Sequence, residues 1–84
     1  ILRLVRAVAA AFAAADPVGL LAAGFPEDEY GPEIRDLSER LLHGEAFDLR
    51  LVAGVFTEWF GDDGGSELLY TELKPRVDLL RSFP

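Results

Sequence analysis

Eighty-four residues, no cysteine and a formal charge of -7, from fifteen carboxylates against eight bases, narrow the choices for this chain. One domain spanning residues 1–84 is expected, held by packing alone, because so short a chain buries only about 60% of its unfolded surface and has no disulfide to help. The charge repels phosphate backbones and anionic headgroups, so no nucleic-acid or membrane-surface role is expected, and a basic protein surface is its natural complement.

The first element is a helix over Leu2 to Ala15, with seven alanines and neither glycine nor proline. Leu2, Val5, Val8 and Phe12 recur at helical spacing, Leu4 and Ala11 widen the stripe, and Arg3, Arg6 and Ala10 face outward. Two arginines before an alanine run also resemble a signal peptide, but they interrupt the apolar residues rather than precede them. The amphipathic helix is therefore preferred. Ile1 is not an initiator methionine, which points to residues upstream. No run reaches the roughly 20 apolar residues of a membrane span, and the expected location is cytoplasmic.

Asp16 to Ile34 organises the rest, with three of the five prolines and three of the eight glycines. Pro17 forces the helix to stop, and Asp16 is expected to cap a short turn that drops Leu20 and Leu21 into the core. Gly24 and Pro26 bound a second bend, followed by Glu27-Asp28-Glu29-Tyr30. The second helix starts at Pro32 behind Gly31, carries Ile34, Leu37, Leu41 and Leu42 inward, pairs Asp36 with Arg40, and stops at Gly44.

Asp48 caps a third helix, Leu49 to Phe60, whose Val52, Val55, Phe56, Trp59 and Phe60 form the richest apolar face and place it at the centre of the core. After a polar linker, Ser66 is expected to cap a fourth helix with Leu69, Leu73, Val77 and Leu80 inward, kinked or broken at Pro75. The fold class is thus all-α, a compact four-helix domain.

Chemistry is sparse. Three consecutive carboxylates point in different directions and make a poor metal cage, so Glu27-Asp28-Glu29 reads as a solvated turn or a docking surface. Asp62-Asp63-Gly64-Gly65-Ser66-Glu67 fails the alternating spacing of a calcium loop and reads as a linker. His43 suits a helix C-terminus, and Ser38, Ser66 and Ser82 lie without a base positioned beside them. No enzyme, cofactor or metal is expected. Aromatics at helical spacing are mostly core, but so small a fold cannot enclose every one of them, and an exposed patch would suit a partner or a second copy of the chain.

Asp16-Pro17-Val18-Gly19-Leu20, then Pro26-Glu27-Asp28-Glu29-Tyr30-Gly31-Pro32-Glu33-Ile34, then Trp59-Phe60-Gly61 resemble a family of small, acidic, helical bacterial proteins of unknown function. Gly31 departs from that pattern, where an aspartate stands. The resemblance implies a compact helical domain with no assigned reaction, and by analogy an immunity or antitoxin-like role against a secreted toxin. The expectation is a non-enzymatic interaction module that binds a basic partner through Glu27, Asp28, Glu29, Tyr30 and Trp59. Its alternative is a self-associating structural or regulatory homodimer.

Overall fold

The computed structural model describes residues 2–82, and the side chains of all of these except Glu27 and Asp28. Its elements are α1 (Leu2–Ala15), a 3-10 turn (Glu27–Tyr30), α2 (Gly31–Leu42), α3 (Leu49–Phe60) and α4 (Ser66–Arg81). Among the described residues there is no strand, and no helix is long and apolar enough to cross a membrane. The all-α, four-helix reading holds.

The helix ends follow local chemistry. The Asp48 carboxylate accepts the Leu51 N–H at 2.9 Å, which satisfies one of the orphan donors of α3. α2 ends in a paired motif in which Glu45 N–H bonds the Arg40 carbonyl and Gly44 N–H bonds that of Leu41, with Gly44 left-handed. The linker after α3 is a turn in which Asp62 accepts the Gly64 N–H at 2.8 Å.

α1 packs on α4 and α2, and α3 packs on α4 and α2. The end of α1 meets the start of α4 at Pro17 and Gly65, so this pair, the most extensive in the molecule, runs antiparallel. All four helices supply the core: Val8, Ala11 and Phe12; Leu37 and Leu41; Val52, Val55 and Phe56; Leu69, Leu73 and Val77. An aromatic chain crosses it, with Phe12 lying 5.1 Å from Tyr30 and 6.2 Å from Phe56, and Phe56 lying 5.4 Å from Phe60. Phe47 stacks on Tyr70 at 5.2 Å and fastens the α2–α3 link to α4.

Four expectations are corrected. The third helix is not the centre, because α1 and α4 share the largest contact and α3 reaches α1 through the Phe12–Phe56 pair. Leu2, beyond the packed part of α1, and Leu42, at the end of α2, are exposed rather than inward. Ser66 is the first helical residue and buried, while left-handed Gly65 takes the cap position. α4 runs through Pro75 as one helix, so of the two alternatives, a kink or a break, the break does not hold. A proline inside a helix costs about 3 kcal/mol. Burial of Leu69, Leu73 and Val77 on both sides of it contributes about 1.5–3 kcal/mol each, and the ring itself faces solvent.

Candidate functional site

The segment between α1 and α2 is built around one carboxylate and one phenol. Asp16 follows α1 in the left-handed conformation, φ 42°, with its N–H returned to the Phe12 carbonyl at 2.8 Å, a position that aspartate tolerates better than most residues. The chain then makes a helical turn over residues 20–24, closed by Gly24 N–H to the Leu21 carbonyl and Phe25 N–H to the Leu20 carbonyl. Its N-terminal donors need partners. Asp16 Oδ1 accepts from Leu21 N–H at 3.0 Å and Oδ2 from Ala22 N–H at 2.9 Å. Tyr30 Oη donates to Asp16 Oδ1 at 2.8 Å and accepts from Val18 N–H at 3.1 Å and Leu20 N–H at 3.4 Å.

This geometry corrects the part expected of Tyr30. The residue is 1% exposed, with its ring against Phe12, so it cannot present itself to a partner. It fixes the backbone of the loop instead. Burial and the neighbouring Asp16 carboxylate both push its hydroxyl above the ordinary tyrosine value. For Asp16, burial resists ionisation, but the bonds from Leu21, Ala22 and Tyr30 outweigh it and hold the carboxyl below its ordinary 3.8.

A group depressed in the folded state contributes stability that is complete above its unfolded value and lost as pH falls through the folded one. Stability is therefore expected to decline with acid from about pH 4 downward. Asp16→Asn, which keeps the left-handed backbone, should flatten that decline in urea titrations at pH 2–5. An unchanged pH slope in the variant would count against Asp16 as an acid-sensitive group beside Asp36.

Of the acidic triplet, Glu29 is exposed, while the side chains of Glu27 and Asp28 lie outside those described. The 3-10 turn that carries them runs directly into the first turn of α2. On that helix, Pro32, Arg35, Asp36 and Glu39 line a shallow depression with Trp59 of α3. The indole is 46% exposed, yet its Nε1–H donates to Asp36 Oδ2 at 2.8 Å. Asp36 Oδ1 accepts from Arg40 Nε at 2.9 Å, and Arg40 Nη2 donates to Glu58 Oε2 at 2.7 Å. Burial tends to raise the Asp36 pKa, but Trp59 and Arg40 together lower it. Exposed pairs of this kind contribute about 0–1 kcal/mol, so the network orients Trp59 more than it stabilises the fold.

The face thus joins an exposed aromatic, held in one orientation, to exposed Glu39 and Glu58. Trp59 stood out in the sequence; its clamp by Asp36 and Arg40 did not, because the sequence placed the latter pair only on the outside of a helix. Elsewhere, His43 caps α2 and is exposed, Ser38 is buried with its hydroxyl unpartnered, and Ser82 Oγ bonds the Leu79 carbonyl at 2.7 Å. Glu33, in the first turn of α2, is buried with Oε2 unpartnered, where the helix N-terminus favours negative charge. Among the described residues, no three His, Asp or Glu side chains converge as a metal site would require. Comparison with family models, curated proteins and solved structures finds no match for this chain.

Proposed function

We propose that this chain is a non-enzymatic interaction module that docks a basic protein surface on the Trp59 face and the adjoining acidic turn, Glu27 to Glu29. The observation that carries the reading is Trp59, a large aromatic left 46% exposed but pinned through Nε1 to Asp36. A ring whose orientation is already fixed loses little freedom on binding, the property expected of an interface anchor. An arginine laid over the indole would gain a cation–π contact and meet the exposed carboxylate of Glu39, while Glu58 is bonded to Arg40. Outside α4 the chain holds twelve acids against five bases, a field that steers a cationic partner toward it.

The resemblance to small acidic bacterial helical proteins gives this reading its most specific form, an immunity or antitoxin-like protein that covers the basic surface of a toxin from within the cytoplasm. The test uses this chain as bait in a lysate of its source cell, beside a Trp59→Ala/Glu29→Lys variant. Both positions are exposed, so the variant should keep its circular dichroism spectrum. The expected result is one basic protein retained by the wild type at low salt, released as salt rises, and held at least about tenfold more weakly by the variant. Equal retention by the two baits would overturn the reading.

A further inference from the structure

α4 departs from the electrostatics of the rest of the chain. Its Glu67, Glu72 and Asp78 are balanced by Lys74, Arg76 and Arg81, so the helix is neutral within a chain of charge -7. Its outer face also carries an apolar stripe. Leu68 is 59% exposed and Leu79 is 60% exposed. They stand eleven residues apart, which is three helical turns, with exposed Pro75 between them on the same face. Along one flank Arg76 Nη1 reaches Glu72 Oε2 at 3.4 Å, and beyond the other Lys74 bonds Asp78 at 3.0 Å.

From this arrangement we infer that the outer face of α4 is a homodimer surface, in which α4 packs antiparallel on α4 of a second copy. A two-fold axis midway between Leu68 and Leu79 brings Leu68 of each chain onto Leu79 of the other. The same axis turns each flank toward its own copy. It carries Glu72 to within one residue, about 1.5 Å along the helix, of the other chain's Arg76, so one self-complementary flank forms two equivalent cross-chain ion pairs. Lys74, which with buried Leu73 lies nearest the axis, stands further round the helix, outside the Leu68–Leu79 stripe, where it bonds Asp78. The neutrality of α4 lets two acidic chains approach here without the repulsion that the remaining surface would impose. This face carries none of the residues of the Trp59 site, so either proposal can fail alone.

Sedimentation equilibrium from about 1 µM to 1 mM tests it, since one helix pair is a small interface and a dissociation constant in the micromolar range is expected. Leu79→Glu, at an exposed site, should leave the fold intact by circular dichroism and the mass monomeric. E72R places two cations on the flank and R76E places two anions, so each variant alone should dimerise at least about tenfold more weakly. Mixed, they should form a heterodimer approaching the wild-type affinity, a result that pairing within one helix cannot produce. A wild type that stays monomeric to 1 mM, or a mixture that sediments as independent monomers, would overturn the inference.

Discussion

Tyr30→Ala should remove about 3–5 kcal/mol of stability, as expected for deleting a buried aromatic side chain. A domain of this size holds roughly 0.05–0.15 kcal/mol per residue, so the loss is a large part of the whole. Tyr30→Phe separates the two roles of the residue. The ring keeps its place against Phe12, while the Val18 and Leu20 N–H groups and the Asp16 carboxylate lose the hydroxyl. Bonds to a charged group contribute about 1.5–3 kcal/mol, which lowers the melting temperature by on the order of 10 °C. Thermal and urea unfolding give both numbers. If Tyr30→Phe fell within about 0.5 kcal/mol of wild type, the hydroxyl would not be what organises residues 16–30.

Gly65→Ala should be the more damaging of two outwardly similar substitutions. Gly61, at the C-cap of α3, and Gly65, at the N-cap of α4, are both left-handed, with φ of 84° and 90°. A side chain strains the backbone at either site by about 1–2 kcal/mol. Nothing lies within 4 Å of a Cβ built at Gly61, whereas one at Gly65 would run into the carbonyl oxygen of Pro17 and lie 3.1 Å from its Cβ. Relief requires the end of α1 to move from the start of α4, adding about 1–3 kcal/mol, the usual cost of overpacking. The difference between the variants measures that contact. Equal destabilisation would mean that the two helix ends are not held in contact at Pro17 and Gly65.

Both expectations arise where the sequence was only partly legible. The helices could be read because each signal was local. Leu2 to Ala15 has no breaker, Asp48 and Gly61 bracket α3, and Asp36 and Arg40 stand four apart and do pair. The loop also gave a correct outline, with Asp16 as a cap and Leu20 and Leu21 packed against the core. What stayed hidden was non-local. The hydroxyl of Tyr30 reaches back fourteen residues to Asp16, so a tyrosine beside three acids looked like part of an exposed patch. Pro75 looked like a break because its backbone cost is local, while the burial that offsets it comes from packing against other helices. Trp59 stands out on the apolar face of α3 and before Gly61, but its hydrogen bond to Asp36 spans twenty-three residues and requires the fold.

Trp59 is the only tryptophan in the chain, and it sits in the face assigned to the partner. Its fluorescence therefore reports directly on docking. The decisive measurement is a titration with an arginine-rich peptide at low and at moderate salt, in wild type and in Glu29→Lys. A saturable change in Trp59 emission is expected, weakening as salt rises and weakening again in the variant. Peptide binding, seen by anisotropy of a labelled peptide, with no change in Trp59 emission would place the cationic ligand elsewhere on the surface and contradict docking at Trp59.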